Sequence, residues 1–360
     1  MKCLSNEIKG RYDAFWRHED ADRPILSITV PDKTAQWEDH KPKTLHDQWE
    51  NLEARYSWSR FAMEHTRYFG EAMPQDWANF GPGCMAAMLG SDYILTDFTI
   101  WFGERGRVLK DWGDLDSLHL HEDSPMYGMV LGMTALLAGR SGGRYVTGIS
   151  DLGGNLDILA SLRDTQDLLT DIYENPEIII RAVERIDEMW IDYFKRLRGI
   201  IRASGQDGHG TWLGLWCETN YYPLQCDFSA MISPDDFKRF AMPSLRRISD
   251  FLGHSIFHMD GPNQIVHLDH LLSLPRLDGI QWVAGSGKAP VWDEKWYPLY
   301  EKIQSAGKSL VLHEMGSIEN TLKICKNFSP KGLWMSVTLD TEEEAAELLA
   351  KAAELSKPMT

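Results

Sequence analysis

Short apolar, β-favouring segments alternate with longer amphipathic segments through the second half of this 360-residue chain. In the longer segments, apolar residues recur at the spacing of a helix that buries one face. Strands that are hydrophobic throughout are typical of parallel sheets covered by helices on both faces. A strand followed by a helix, and then repeated, predicts parallel βα units. The predicted strands of this half are 211–216, 255–259, 279–283, 310–313 and 333–337.

The helix boundaries between these strands carry clear signals. Asn175 and Pro176 form an N-cap followed by proline at the first helical position, and the apolar periodicity continues to Gly205. Thr341 and Glu344 have the spacing of a capping box, which predicts the start of the last helix. These signals place helices between successive strands, as a βα architecture requires.

Three further strands are predicted in the first half, at 25–30, 93–100 and 145–149, which brings the total to eight. Eight is the number of strands in a (β/α)8 TIM barrel. We therefore predict an α/β fold, a barrel with an irregular N-terminal extension, as a single domain over 1–360. An open doubly wound sheet is the alternative, but the chain lacks the glycine-rich nucleotide motifs that favour it.

Composition excludes several classes of protein. Lys and Arg number 37 against 53 Asp and Glu, a formal charge of −16 that disfavours binding to nucleic acid phosphates. Apolar runs are too short for a membrane helix, and the first residues do not resemble a secretory signal. Five cysteines without a C-x-x-C pair do not form a disulfide framework. We expect a cytoplasmic enzyme with a small-molecule substrate.

Titratable side chains lie at the ends of several predicted strands, where a barrel places its active site. His258 and Asp260 are two residues apart, so both side chains lie on one face of their strand. An imidazole and a carboxylate so placed can share a metal ion, and zinc binds both. The alternative is a hydrogen-bonded pair that closes the strand before the turn at 261–262. Further candidates at strand ends are Asp151, Cys217, Glu218, His313 and Glu314.

These candidates divide by chemistry. Cys217, His313 and Glu314 are predicted to complete the metal shell, and Glu218 is a candidate general acid or base. For both glutamates, a solvated carboxylate in a loop is the alternative. The chain has 14 tryptophans, and the aromatic residues near strand ends predict the walls of a substrate pocket. The predicted pocket residues are Trp216, Tyr221 and Trp282.

The chain resembles the uroporphyrinogen decarboxylase superfamily, which contains tetrapyrrole decarboxylases and methyltransferases that serve corrinoid proteins. The stretches that carry the resemblance are 22–24 (DRP), 225–234 (QCDFSAMISP), 258–261 (HMDG) and 277–282 (LDGIQW). The resemblance implies a (β/α)8 barrel with its site at the carboxyl ends of the strands, and it suggests a homodimer. It also implies zinc, and a corrinoid carried by a separate protein, for the methyltransferase branch.

Two departures distinguish the branches. The chain lacks the arginine-bearing stretch near the N-terminus and the L-G-H-G turn near the C-terminus that uroporphyrinogen decarboxylases have. In the methyltransferases, zinc is bound by an H-x-C motif and a later cysteine. In this chain His258 matches the histidine, whereas Asp260 stands at the position of the cysteine. Oxygen ligands would make the metal a stronger Lewis acid than thiolates would.

The predicted function is metal-dependent transfer of a methyl group between a small methylated compound and a corrinoid. One alternative is a cofactor-independent decarboxylase or lyase in which Asp227 or Asp151 protonates an aromatic ring. Another is a catalytically idle barrel that binds a ligand or a partner protein. The presence of bound metal would favour the methyltransferase over the cofactor-independent decarboxylase.

Overall fold

The computed structural model describes residues 4–355, in which strands and helices alternate along much of the chain. The strands, in chain order, are β1 (Ile25–Pro31), β2 (Thr66–Gly70), β3 (Gln75–Trp77), β4 (Tyr93–Leu95), β5 (Ile100–Phe102), β6 (Val146–Ile149), β7 (Gly210–Thr211), β8 (Tyr221–Leu224), β9 (His254–Asp260), β10 (Gly279–Val283), β11 (Ser309–Leu312) and β12 (Leu333–Thr338).

Helices surround these strands and separate most of them along the chain. They are α1 (Asn6–Trp16), α2 (Trp37–His40), α3 (Leu45–Trp49), α4 (Leu52–Glu64), α5 (Met85–Met88), α6 (Pro125–Ser141), α7 (Asn155–Arg163), α8 (Thr165–Glu174), α9 (Pro176–Ala203), α10 (Pro234–Asp236), α11 (Met242–Leu252), α12 (Leu268–Leu272), α13 (Tyr297–Ser305), α14 (Ile318–Asn327) and α15 (Glu342–Leu355). A π-helical turn, Phe237–Ala241, joins α10 to α11.

The central sheet is mostly parallel and has the strand order β2-β1-β12-β11-β10-β9-β8. Only β2, at one edge, runs antiparallel to its neighbour. A second, parallel sheet has the order β3-β6-β7, and β4 and β5 form a separate antiparallel hairpin. The α/β class is therefore confirmed. Within residues 4–355, the strand ladders do not join the two parallel sheets, so a closed barrel is not shown.

Two of the eight predicted strands are strands over only part of their predicted range. The segment 93–100 is largely the first part of the β4–β5 hairpin, which lies outside both parallel sheets. In the segment 211–216 only Thr211 belongs to a strand, and the apolar residues after it enter a buried cluster. The strand that continues the central sheet is β8, whose Pro223 weakens its strand pattern in the sequence. The other six predicted strands overlap observed strands.

A buried aromatic cluster closes the amino-terminal end of the central sheet. Tyr12 and Trp16 of α1 pack against Trp216, and Trp334 of β12 belongs to the same cluster. The indole of Trp16 donates a hydrogen bond to the carbonyl of Trp216 at 2.8 Å. Because this end is filled, the carboxyl-terminal end of the strands is the one available for a site.

The predicted helix signals are confirmed. The long helix α9 begins at Pro176 and ends at Ala203, just before Gly205 with its φ of 84°. Thr341 and Glu344 form the reciprocal capping box at the start of α15, with both hydrogen bonds at 3.2 Å. Among residues 4–355, no helix combines the length and apolar character needed to cross a bilayer.

Candidate functional site

Asp227, His258 and Asp260 form a cluster at the carboxyl-terminal end of the central sheet. One ligand atom from each side chain lies within 4.8 Å of the other two, and within residues 4–355 this is the only group of this kind. His258 and Asp260 lie on one face of β9, and Asp227 follows the adjacent parallel strand β8. The strand pairing therefore brings the three side chains together.

A directed chain of hydrogen bonds sets the tautomer of His258. The carbonyl of Leu213 can only accept, so the His313 Nε2 that lies 2.9 Å from it must donate. His313 Nδ1 is then an acceptor for the Gln281 amide nitrogen at 3.2 Å. The Gln281 oxygen in turn accepts from His258 Nδ1. In the neutral imidazole of His258 the lone pair is therefore on Nε2, and this is the tautomer that can bind a metal there.

Polar side chains also hold the backbone at the two aspartates of the cluster. The Gln264 side chain accepts a hydrogen bond from the Asp260 backbone N–H at 2.9 Å and donates to the Cys226 carbonyl at 3.1 Å. Asp157 accepts the backbone N–H of Asp227 at 3.0 Å and that of the following residue at 2.7 Å. These contacts fix the chain on both sides of the cluster before any ligand binds.

Electrostatics favours a cation among these acids. Loss of hydration raises the pKa of Asp227, an effect that His258 opposes and Asp260 reinforces. Burial and the neighbouring Asp227 likewise raise the pKa of Asp157. Burial raises the pKa of Asp151 to about 6, partly offset by His258. A divalent cation would relieve the repulsion between these carboxylates.

The donor set suits a catalytic divalent metal such as zinc. It supplies one neutral imidazole and two carboxylates, and three protein ligands leave a fourth zinc position for substrate. Gln281 holds the imidazole, as the second shell of metal sites commonly does. No thiol belongs to the cluster in the part of the chain that the structure describes. These oxygen and nitrogen ligands are consequently harder, that is less polarizable, than the thiolate ligands that the resemblance implies.

Three other predicted residues lie near this end of the sheet in different roles. His313 contacts Gln281 and packs against Trp334 with ring centroids 4.8 Å apart, and burial lowers its pKa to about 4. Asp151 is buried and accepts the Gln225 amide at 3.0 Å. Glu314 is exposed after β11 and is not in the cluster. Their predicted roles stay predictions.

Four predicted site residues lie at the opposite, amino-terminal end. The chain between β7 and β8 carries Trp216, Cys217 and Glu218 to the start of β8, where Tyr221 pairs with His254. His254 and His258 are four residues apart on β9, which is about 13 Å along the strand. The prediction placed these residues wrongly because it assigned 211–216 as the strand and β8 as its loop.

Trp282 also lies apart from the cluster. It follows Gln281 on β10, so its side chain projects from the opposite face of the sheet. There it is fully buried and packs against Trp296 with ring centroids 4.9 Å apart. The aromatic ring that does contact the cluster is Trp212, which lies edge-on to His258 at 5.0 Å.

Sequence reasoning missed Asp227 as a ligand and missed the groups that support the cluster. Correct assignment of β8 as a strand would have placed Asp227 at a strand end, where the same search found Asp260. The supporting side chains Gln264 and Gln281 carry no metal-ligand signal in the sequence. They are identified only by the hydrogen bonds that the fold creates.

Comparison with known proteins supports the architecture. No family model and no curated protein matches the chain, so its resemblance to the uroporphyrinogen decarboxylase superfamily stays a prediction. Among solved structures, the chain is similar to a methyltransferase from Methanosarcina mazei, with a TM-score of 0.61 and 13% identity. The match covers 97% of this chain and 99% of that chain. The two chains share a fold. At this identity, the likeness concerns the fold alone.

Proposed function

We propose that this protein is a metal-dependent methyltransferase on a (β/α)8 scaffold. It moves a methyl group between a small methylated compound and a corrinoid carried by a separate protein. The observation that carries the proposal is the cluster of Asp227, His258 and Asp260, with the Nε2 lone pair of His258 kept free. The solved methyltransferase of similar fold supports the choice of reaction.

A bound divalent metal, zinc first among the candidates, supplies Lewis acidity toward the heteroatom that carries the methyl group. The chain itself positions the donors: Gln281 orients the ring of His258, and Gln264 fixes the backbone at Asp260. Trp212 covers one side of the imidazole. The protein thus orients the substrate heteroatom.

Asp151 is the candidate proton donor. When the methyl group moves to the corrinoid, its bond to the heteroatom breaks and the bonding electron pair remains on the heteroatom. That atom then takes a proton. Burial keeps a fraction of Asp151 protonated near neutral pH, because its pKa is raised to about 6. In the reverse direction the same carboxylate accepts the proton.

The test is methyl transfer to free, chemically reduced cobalamin. Zinc-loaded protein is incubated with methanol, methylamines, methyl thiols or methyl ethers, and methylcobalamin is measured by its absorption spectrum. We expect formation with one of these classes, and we expect Asp260→Asn to abolish it. Asp235→Asn, which alters an exposed carboxylate on the nearby helix α10, is the matched control. Equal rates for both variants would contradict the proposal.

A further inference from the structure

A cavity lies apart from the metal cluster, against α4 and β3. Its volume is about 450 Å³, which is within the range of small-molecule sites in proteins. Three tryptophans, Trp49, Trp58 and Trp77, contribute to its walls together with Arg55 and Asp76. No residue of the metal cluster lines it. A ligand of this cavity can therefore be studied separately from the metal.

Arg55 is a buried cation at the wall of this cavity. The residue is 9% exposed, and its guanidinium lies over the ring of Phe80 at 4.3 Å. Within residues 4–355 the one hydrogen bond of the Arg55 guanidinium is from Nη1 to the carbonyl of Trp49 at 3.1 Å. No carboxylate of the described chain is within 4.0 Å of it. Burial lowers the pKa of Arg55 to about 10, so it remains charged near neutral pH.

The other charged groups of the cavity already have partners. Asp76 accepts hydrogen bonds from the Ser59 hydroxyl and from the Trp77 backbone N–H, and it interacts with Arg55 only at longer range. Lys41 is exposed and pairs with Glu38. The remaining N–H donors of the Arg55 guanidinium have no partner in the described chain, and an anionic ligand in the cavity would accept hydrogen bonds from them.

The tryptophans define the shape of that ligand. The indole of Trp49 is fixed by a hydrogen bond to the carbonyl of Thr96 at 2.7 Å. Trp58 is held by Trp37, with ring centroids 6.0 Å apart, and by Phe61 at 6.2 Å. Rigid aromatic walls favour a planar ring, and one guanidinium matches one carboxylate. We propose that this cavity binds an aromatic monocarboxylate, with its carboxylate on Arg55 and its ring among the tryptophans.

The proposal does not depend on the methyltransferase reaction and is tested by binding alone. Benzoate is the probe, and benzamide, which has the same shape without the charge, is its matched comparison. Binding is measured by isothermal titration calorimetry with the full chain. We expect saturable binding of benzoate, at least tenfold weaker binding of benzamide, and at least tenfold weaker binding of benzoate by Arg55→Met.

Two variants control for folding. Arg60→Met removes a guanidinium from the same helix, where Arg60 pairs with Glu64, and it should bind benzoate as the wild type does. Ala62→Phe fills the cavity without changing its charge and should also abolish binding, which keeps the test decisive if Arg55→Met does not fold. Equal affinity for benzoate and benzamide, no binding of benzoate, or preferred binding of benzyltrimethylammonium would overturn the proposal.

Discussion

Gln281 joins His258 to His313 through the two ends of its amide group. Its oxygen accepts from His258 Nδ1, and its nitrogen lies 3.2 Å from His313 Nδ1. The carbonyl of Leu213 can only accept a hydrogen bond, and this determines which group donates at each step of the series. The protein thereby selects the tautomer of His258 in which Nε2 is available to a ligand.

Replacing Gln281 tests this chain. In Gln281→Met the side chain keeps its volume but can no longer accept the His258 N–H. We expect zinc affinity to fall by about 10- to 100-fold, as is usual when a residue that orients a metal-binding histidine is replaced. This corresponds to about 1.4–2.7 kcal/mol. The measurement is competition with a chromophoric chelator at fixed pH.

Gln304→Met is the matched control, because the side chain of Gln304, on α13, hydrogen-bonds the backbone of Ser329 and not the metal cluster. Its zinc affinity should equal that of the wild type. If Gln281→Met also retains wild-type affinity, the hydrogen-bond chain does not prepare His258 for a metal.

Glu71 connects the N-terminal segment to the central sheet. Its buried carboxylate forms an ion pair with Arg11 at 2.7 Å. It accepts hydrogen bonds from Arg23 at 2.7 and 2.8 Å and from the Leu26 backbone N–H at 2.9 Å. Glu71→Gln would leave the partly buried guanidinium of Arg23 without its counter-charge, and Arg11 would keep only Asp22 as a charged partner. We expect the free energy of unfolding to fall by about 3–5 kcal/mol, measured by urea denaturation.

Glu64→Gln is the control, because its pair with Arg60 is exposed and should contribute at most about 1 kcal/mol. Metal binding should be unchanged in both variants, since Glu71 lies at the amino-terminal end of the sheet. Similar losses of unfolding free energy in the two variants would show that the buried ion pairs of Glu71 with Arg11 and Arg23 do not stabilise the fold more than an exposed pair does.

His209 makes stability dependent on pH. Its Nδ1 donates to the Gly210 carbonyl at 2.8 Å, and its Nε2 faces the Tyr221 N–H at 3.3 Å, so the ring must be neutral. Burial and, to a lesser degree, Arg198 lower the pKa of His209 to about 3. Stability is therefore fully present above the unfolded pKa of about 6.5 and is lost as the pH falls toward 3.

We expect His209→Asn to reduce the dependence of unfolding free energy on pH between about 6.5 and 4, where one neutral buried histidine contributes up to about 1.4 kcal/mol per pH unit. The absolute stability of the variant is expected to be lower at neutral pH. His46→Asn removes an exposed histidine and should leave the slope unchanged. An unchanged slope in His209→Asn would mean that His209 is not held neutral.

The sequence predicted most of the framework because helical caps and buried strands are local patterns. The capping box of Thr341 and Glu344 and the helix beginning at Pro176 were predicted correctly. The alternation of His258 and Asp260 also correctly placed both side chains on one face of β9. Each of these features depends on residues close together in the chain.

The parts that failed depend on contacts between distant segments. The apolar residues after Thr211 looked like a strand because they are buried, yet they fill the space beneath the site. Because 211–216 was taken as the strand, Cys217 was predicted at the carboxyl-terminal end of the sheet, whereas it lies at the amino-terminal end. The same assignment left Asp227 without a predicted position at a strand end. The pairing of Gln281 with His258 joins residues 23 positions apart. No local pattern encodes such a contact, since glutamine at a buried strand position has many possible partners.

The central claim is that Asp227, His258 and Asp260 bind one divalent metal. The most direct measurement is metal per chain, by elemental analysis of protein purified without chelator or affinity-tag metal. The variants are Asp227→Asn, His258→Ala and Asp260→Asn, with Asp235→Asn as the control. We predict near-stoichiometric zinc in the wild type and the control and its loss in all three site variants. Absence of metal from the wild type, or retention in the three variants, would contradict the account and favour acid–base chemistry of the decarboxylase type.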